Sequence, residues 1–327
     1  MTYYFHSQND VLEPKDPAYL RFLDSSLEYG HWICSPSVTL HYCIALHEAP
    51  KGCIVIFPGR AEAIVKYEEL LFELFQNGYS VFALDHRGQG GSSRALANPH
   101  MGYIESFDDY ITDATACIEN VLIPQLHKQA LDSDLYLLCH SMGSAIGVHF
   151  LQANATLFKK VCFSAPMLGI NLPLPEVLVK AIAKSAGTVY RLLGKTPRYF
   201  WGQGDYKPYP FITNQLTNSE IRYASFRKTM AQSPEAQLGG ITFTWLTAAI
   251  NAMQSARIIA KHLMMPVLVL QAEEEQIVDN KKMSKTVESM PQARCVVIRK
   301  AKHEILFEKD PAKHQALSTI LDFFAKP

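Results

Sequence analysis

Short apolar runs alternate with longer segments of helical periodicity along most of the chain. The predicted strands are residues 53–57, 80–84, 135–139, 160–163, 267–270 and 295–298, and the predicted helices among them lie near 67–76, 107–121 and 142–152. Because runs such as 53–57 are apolar at every position, we expect strands buried on both faces, as in a mostly parallel sheet with helices on both faces. A looser alternation over 37–45 predicts an antiparallel edge hairpin before this series. The predicted fold class is therefore α/β.

The alternation stops at Pro166 and returns near Pro266. The intervening residues combine helical stretches with six prolines and several aromatic residues. This predicts an inserted, mainly helical cap over 168–255, with a core formed by 1–167 and 256–327. The cap contains nine Lys and Arg against four Asp and Glu, a formal charge of +5. Since the net charge of the whole chain is zero, the predicted core carries −5.

Composition excludes several classes of protein. With 327 residues, of which 48% are hydrophobic and 19% charged, the chain has enough apolar material for a packed core. The 31 Lys and Arg balance 31 Asp and Glu. The broad basic field of nucleic-acid-binding proteins is therefore missing, and we expect no nucleic-acid partner. Seven cysteines form an odd number without a C-x-x-C pair, which argues against a disulfide framework and a zinc site.

The N-terminal residues show neither the basic segment nor the continuous apolar segment of a secretory signal. The strongly apolar stretch 263–270 is far shorter than the roughly 18 to 20 residues that a helix needs to cross a bilayer. We therefore expect a cytoplasmic protein without a membrane-spanning segment.

Ser141 lies where the predicted strand 135–139 runs into the predicted helix that begins at Met142. This context is typical of a nucleophile elbow, a sharp turn that lifts a serine hydroxyl above the strand ends. The backbone N–H of Met142 would then sit at a helix N-terminus and donate to a developing oxyanion. Cys139 replaces the first glycine of the G-x-S-x-G pattern. The alternative interpretation of Ser141 as an ordinary helix N-cap therefore stays open.

A serine nucleophile needs a base and an acid, which α/β hydrolases supply in the chain order serine, acid, histidine. His303 follows the last predicted strand through a polar loop and is the predicted base. Glu275 is the predicted acid, because Ala272, Glu275 and Val278 match the register of a G-x-x-D-x-x-V pattern that such hydrolases commonly have after the preceding strand. Asp279 is the alternative acid, although an aspartate there also suits the N-cap of a helix beginning near residue 280.

The glycine-rich segment 88–91 has part of the composition of a phosphate-binding loop. It lacks the Lys-Ser/Thr that follows in a Walker A motif and the third glycine of a dinucleotide fingerprint. We interpret it as a tight structural turn, and we expect no cofactor, neither NAD nor ATP, and no metal.

Five motifs occur in an order that is more specific than any one of them, at residues 58–62, 85–92, 140–143, 163–167 and 301–303. Together they resemble the monoacylglycerol lipase and lysophospholipase family of α/β hydrolases, with the bacterial inner-membrane lysophospholipases as the nearest likeness. The resemblance implies an α/β-hydrolase fold and adds the backbone N–H of Arg60 as a second oxyanion donor. The chain departs from the family pattern at four positions: Pro58 in place of His, Cys139 and Ala272 in place of Gly, and Glu275 in place of Asp.

The implied function is a serine hydrolase that cleaves the acyl ester of a lysophospholipid or monoacylglycerol through an acyl-enzyme and releases a fatty acid. Alternatives are a small-ester or thioester hydrolase or acyltransferase on the same fold, and a non-catalytic lipid-binding protein. Apolar residues over 174–192 approximate helical spacing, with basic residues between them. This segment suits peripheral contact with anionic lipid on the inner face of the cell membrane, or packing against the core.

Overall fold

A computed structural model of the chain describes residues 2–129, 131, 133–195 and 197–326. Within these ranges, eight strands form one sheet in the order β1-β2-β4-β3-β5-β6-β7-β8. The strands are β1 (Glu28–Ser35), β2 (Val38–Ala45), β3 (Cys53–Phe57), β4 (Ser80–Leu84), β5 (Leu135–His140), β6 (Phe158–Ser164), β7 (Val267–Ala272) and β8 (Ala293–Ile298). The α-helices are α1 (Pro17–Arg21), α2 (Glu68–Gln76), α3 (Asp108–Cys117), α4 (Ile123–Lys128), α5 (Met142–Asn154), α6 (Glu176–Leu192), α7 (Glu220–Gln232), α8 (Phe243–Ile259), α9 (Asn280–Val287) and α10 (Asp310–Ala325). The predicted α/β class and mostly parallel sheet are confirmed.

The strands from β3 to β8 pair in parallel, whereas β2 is antiparallel to both β1 and β4. The predicted antiparallel edge hairpin exists, but it is longer than predicted, because the segment 37–45 forms only its second strand, β2. The first strand of the hairpin is β1, in which Glu28, Gly30 and His31 interrupt the apolar alternation. Most of its residues are at least partly exposed at the sheet edge, so burial imposes little pattern on its sequence.

Alternate residues of the central strands enter two separate apolar cores. Val55 and Phe57 contribute to the core that includes residues of α3, α5 and α8, whereas Ile54 and Ile56 contribute to the core with residues of α2 and α10. The whole of β3 is buried, as are β4 and β5. Burial on both faces explains why these strands read as continuous apolar runs rather than as alternating ones.

The segment between the end of β6 and the start of β7 contains α6, α7 and α8. The predicted cap boundary between 255 and 256 falls inside α8, which packs against both α5 and α6. Arg222 of α7 is buried and donates to Glu69 of α2 and to Asp310 of α10. An ion-pair network therefore joins this segment to the two helices on the opposite face of the sheet from α5.

In the described ranges, no helix combines the length and the apolar composition that crossing a membrane requires. All seven cysteines are free thiols, and Cys295 is the exposed member of the set. Burial raises the pKa of the Cys162 thiol, which favours the uncharged thiol form at neutral pH.

Candidate active site

The turn between β5 and α5 holds Ser141 in a backbone conformation that side chains rarely adopt, with φ of 49° and ψ of −115°. Its N–H donates to the Ser164 carbonyl at 3.0 Å, and its own carbonyl accepts from Met167 N–H at 3.1 Å. The Ser141 side chain makes no capping hydrogen bond to α5. The alternative interpretation as an N-cap is therefore wrong, since the hydroxyl points to a different partner.

Two glycines of α5 make the turn compact. A Cβ at Gly143 would lie 2.1 Å from the carbonyl oxygen of Phe57, so that position excludes every side chain. A Cβ at Gly147 would lie 2.6 Å from the Sγ atom of Cys139. Gly147 thus leaves the space that Cys139 fills where the G-x-S-x-G pattern has glycine.

His303 lies in the loop after β8 and bridges the two other predicted site residues. Its Nε2 is 2.8 Å from Ser141 Oγ, and its Nδ1 is 2.8 Å from Glu275 Oε2. His303 is only 4% exposed, and the side chain of Glu275 is fully buried. The structure therefore brings Ser141, His303 and Glu275 together as one hydrogen-bonded chain.

Both carboxylate oxygens of Glu275 are hydrogen-bonded. The Oε1 atom accepts from the backbone N–H groups of Ile277 at 2.7 Å and Val278 at 3.1 Å, which leaves Oε2 for His303. Burial raises the pKa of Glu275, but the hydrogen bond and charge of His303 and the two backbone donors outweigh it and lower the pKa below its ordinary value. The carboxylate is therefore ionised at neutral pH.

Asp279, the alternative acid, is the N-cap of α9. Its Oδ1 accepts from the backbone N–H groups of Lys281 at 3.0 Å and Lys282 at 3.1 Å. The carboxylate is thus occupied at the start of α9, and the residue in contact with His303 is Glu275.

Two backbone N–H groups near Ser141 have no acceptor in the described part of the chain. In the loop after β3, Gly59 N–H donates to Glu62 and Ala61 N–H donates to the Gln89 side chain, whereas the N–H of Arg60 between them donates to no described residue. The N–H of Met142 is likewise free at the N-terminus of α5. These are the two donors that the sequence and the resemblance assigned to an oxyanion.

Gln89 also donates to the Gly59 carbonyl at 2.7 Å. It belongs to the glycine-rich segment 88–91, in which Gly88 and Gly90 have positive φ angles. A Cβ at Gly90 would overlap the carboxylate of Asp85. The interpretation of this segment as a tight turn agrees with the structure, and the turn supports the loop that carries Arg60.

A buried charge network beneath that loop was missed by the sequence analysis. The carboxylate of Glu62 accepts from Gly59 N–H, from the Tyr67 hydroxyl, from Lys66 Nζ at 2.6 Å and from His140 Nδ1 at 3.0 Å. The ion pair with Lys66 lowers the pKa of Glu62 well below its usual range, against the opposing effect of burial. A sequence signal existed only in the opposite charges of Glu62 and Lys66 four positions apart.

The network extends to the loop of the predicted base. Lys66 also pairs with Glu304 at 2.6 Å, and His140 Nε2 lies 3.3 Å from the carbonyl oxygen of His303. Both partners of His140 are acceptors, an arrangement that suits a ring with protons on both nitrogens. Burial lowers the pKa of His140, but Glu62 outweighs burial and raises it. The raised pKa favours the protonated form of His140, and its two hydrogen bonds link the loops of Glu62 and His303.

Two further histidines, His86 and His149, lie elsewhere. Burial lowers the pKa of His86 to about 3, and this ring has no hydrogen-bond partner among the described residues. His149 is hydrogen-bonded to the Ala252 carbonyl of α8. Neither ring contacts Ser141.

The family model described as serine aminopeptidase, S33, matches residues 48–310. The chain belongs to this family. It is 38% identical over 278 residues to lysophospholipase L2 of Escherichia coli strain K12, which covers 83% of this chain and 79% of that protein. It is 34% identical to a probable lysophospholipase L2 of Haemophilus influenzae, which covers 86% of each chain. Among solved structures, a soluble variant of monoglyceride lipase from Saccharomyces cerevisiae has a TM-score of 0.71 at 14% identity, over 92% of this chain and 95% of that chain.

These comparisons confirm the predicted family and the α/β-hydrolase fold. They also confirm the prediction of an enzyme that hydrolyses carboxylic esters. For this member of the family, the structure accounts for two of the four departures from the pattern. Gly147 makes room for Cys139, and two backbone amides hold Glu275 at hydrogen-bond distance from His303.

Proposed function

We propose that this protein hydrolyses the ester of a single-chain lipid, a lysophospholipid or a monoacylglycerol, and releases a free fatty acid. The observation that carries the proposal is the hydrogen-bonded chain from Ser141 through His303 to Glu275. The substrate class is supported by the similarity to lysophospholipase L2 and to monoglyceride lipases. In this proposal Ser141 is the nucleophile, His303 the base and Glu275 the acid.

The mechanism follows from these distances. Ser141 Oγ attacks the ester carbonyl carbon while His303 Nε2 takes its proton, and Glu275 stabilises the imidazolium that forms. The N–H groups of Arg60 and Met142 donate to the oxyanion. His303 then protonates the departing alcohol, which leaves the acyl group on Ser141. A water molecule that loses a proton to His303 hydrolyses the acyl-enzyme, and the proton returns to Ser141.

The test combines active-site labelling with product analysis. A fluorophosphonate probe should label the wild-type protein and not Ser141→Ala, in which kcat should fall on the order of 10⁴-fold or more. Fatty-acid release should be compared across lysophospholipids, monoacylglycerols and short esters of matched acyl chains. Turnover confined to short esters or thioesters would favour the alternative hydrolase. Absence of both labelling and turnover would favour the non-catalytic lipid-binding protein.

We also propose that α6 contacts an anionic membrane surface. The large apolar side chains that are exposed within the described chain concentrate between 174 and 212, where nine occur: Leu174, Val177, Leu178, Val189, Leu192, Leu193, Trp201, Tyr209 and Ile212. Exposed apolar side chains in such numbers are unusual on a protein surface that contacts only water.

The orientation of α6 supports this proposal. At about 100° per residue, Val177, Leu178, Val189 and Leu192 share one face of the helix. Val177 is 74% exposed and Leu192 is 81% exposed, so this face does not pack against the core. A different stripe, which includes Val179 and Ala183, is buried instead. The alternative that the apolar residues over 174–192 all pack against the core does not agree with these exposed side chains.

Basic residues flank the exposed apolar face of α6. Lys184 and Arg191 are exposed, whereas Lys180 is hydrogen-bonded to Gln254. The formal charge of +5 overstates what a membrane would meet, because Arg222 is paired with acids of the core. In this proposal, the basic residues beside the apolar face of α6 attract anionic lipid, and the apolar side chains of that face insert into the membrane surface.

Vesicle co-sedimentation tests this proposal. Changing Lys184 and Arg191 to Gln should weaken binding to anionic vesicles about 30-fold, since each basic residue near the surface contributes about 1 kcal/mol. Leu192→Ser should weaken binding to all vesicles. Changing Lys281 and Lys285, which lie on α9, to Gln provides a control of equal charge. Equal binding of wild-type protein to neutral and anionic vesicles at low salt would contradict the electrostatic contribution.

A further inference from the structure

The side chain of Arg60 extends from the loop after β3 toward the segment that carries α8. Its guanidinium carbon lies 5.2 Å from the centre of the Trp245 ring, and its Nη2 donates to the Gly239 carbonyl. A Cβ at Gly102 would lie 2.7 Å from Nη2. The absence of a side chain at residue 102 thus leaves room for the guanidinium.

Within the described part of the chain, the charge of Arg60 has no counter-ion. None of the carboxylates in the described ranges pairs with its guanidinium, and its Nε atom is buried without an acceptor. Burial lowers the pKa of Arg60 to about 10, so the side chain is still charged at neutral pH. Arg222 and Arg87, by contrast, do pair with carboxylates: Arg222 donates to Glu69 and Asp310, and Arg87 donates to Asp113.

A buried or partly buried cation without an anion is unfavourable, and a ligand that supplies the anion relieves the cost. The guanidinium group has planar, forked donors that match the oxygens of a phosphate. The aromatic face of Trp245 stabilises the positive charge of Arg60 without occupying the N–H donors of the guanidinium. An anionic group of a ligand would supply the missing partner.

The length of the Arg60 side chain matches the spacing between ester and phosphate in a single-chain phospholipid. Two paths along covalent bonds have the same number of bonds. One runs from the ester carbonyl carbon of a 1-acyl lysophospholipid to its phosphorus, and the other runs from the backbone nitrogen of Arg60 to its guanidinium carbon. If the backbone N–H of Arg60 contacts the oxyanion, its side chain has the length to reach the phosphate of that molecule. A monoacylglycerol offers only a hydroxyl at the corresponding position.

We propose that Arg60 determines specificity by binding the phosphate of a single-chain phospholipid. This inference rests on the proposed function and narrows it, because it makes lysophospholipids rather than monoacylglycerols the preferred substrates. Hydrogen bonds to a charged group typically improve discrimination about 10- to 100-fold. When only one of two substrates can hydrogen-bond to a polar group of the site, the other substrate leaves that group unpaired. The site therefore discriminates against this second substrate.

The experiment compares kcat/KM for a lysophosphatidylethanolamine and for a 1-monoacylglycerol with the same acyl chain, chosen short enough for both to stay monomeric. Monomeric substrates remove the effect of a charged lipid surface. The ratio of the two values should fall about 10- to 100-fold in Arg60→Gln and less in Arg60→Lys. Arg198→Gln is the control, because Arg198 is an exposed arginine near the Tyr190 ring. A ratio that is unchanged in Arg60→Gln would overturn the proposal.

Inhibition by a product analogue gives a second readout. Glycerol 3-phosphate should inhibit short-ester hydrolysis by the wild-type protein more strongly than glycerol does, and Arg60→Lys should weaken that inhibition even if Arg60→Gln does not fold. Equal inhibition by both compounds would overturn the phosphate site. Different results would contradict the proposed function itself: hydrolysis of neither lipid by the wild-type protein, or full activity in Ser141→Ala.

Discussion

Replacing Glu275 with Gln distinguishes the acid that contacts His303 from its neighbour in sequence. In the wild-type protein, one carboxylate oxygen accepts from two backbone N–H groups and the other contacts His303 Nδ1 at 2.8 Å. A Gln side chain has one oxygen and one NH₂ group. If the oxygen keeps the two backbone donors, the NH₂ group donates to Nδ1 and leaves the proton on Nε2. His303 then cannot accept the proton of Ser141.

The opposite orientation of the Gln amide would restore the correct tautomer but lose two backbone hydrogen bonds. At about 1 kcal/mol each, these two bonds favour the unproductive orientation by about 2 kcal/mol. This preference alone lowers kcat/KM about 30-fold. Loss of the negative charge beside the imidazolium should increase the effect, toward the order of 10⁴-fold seen when an equivalent acid becomes an amide.

The control is Asp279→Asn. Asn is as good an N-cap as Asp, so this variant should keep both activity and stability, whereas Asp279→Ala should lose about 0.5 to 2 kcal/mol of unfolding free energy. Steady-state hydrolysis of one ester and urea unfolding measure the two effects. The reasoning is refuted if Asp279→Asn loses more than about 30-fold in kcat/KM while Glu275→Gln stays within a few-fold of wild type.

Two further changes test packing and charge. Gly147→Ala should destabilise the protein by about 1 to 3 kcal/mol because its Cβ would lie 2.6 Å from Cys139 Sγ, and Cys139→Ala should relieve most of that cost in the double variant. Additive effects in urea unfolding would contradict this contact. Burial raises the pKa of Glu69, but Lys313 and Arg222 outweigh it and hold that pKa below its ordinary value of 4.5. Glu69 therefore stabilises the fold above pH 4.5 and loses this contribution as the pH falls below it. Arg222→Gln should cost about 3 kcal/mol at neutral pH and make the acid dependence of unfolding shallower, and an unchanged acid dependence would contradict the ion pair.

The parts of the fold that the sequence predicted are those in which burial constrains every residue. β3 and β4 have the predicted bounds, because all their residues lie between two apolar cores. β1 was missed because Glu28, Gly30 and His31 stand at an edge where water tolerates polar side chains. The sequence was equally ambiguous about what contacts the exposed face of α6. An apolar stripe at helical spacing does not reveal whether protein, lipid or water covers it.

The site was predictable where short local context determines position. Ser141 follows a buried strand directly, and His303 and Glu275 each follow a strand that ends at the same edge of the sheet. Because parallel strands end together, chain order alone brings these side chains near one another. The Glu62 network was not predictable in this way, since its members come from three separate segments of the chain whose approach depends on the whole fold.

That network makes the loop after β3 and the loop of His303 parts of one rigid unit. The carboxylate of Glu62 uses its oxygens on Gly59, Lys66, Tyr67 and His140, so each of these groups resists movement of the loop. An oxyanion donor is effective when it is already in place before charge develops, because no free energy is then spent on reorienting it. The N–H groups before and after Arg60 are both occupied, which fixes the peptide whose N–H is free. The core therefore holds the candidate site in a fixed geometry, whereas the segment of α6 carries the exposed apolar and basic surface that we propose contacts lipid.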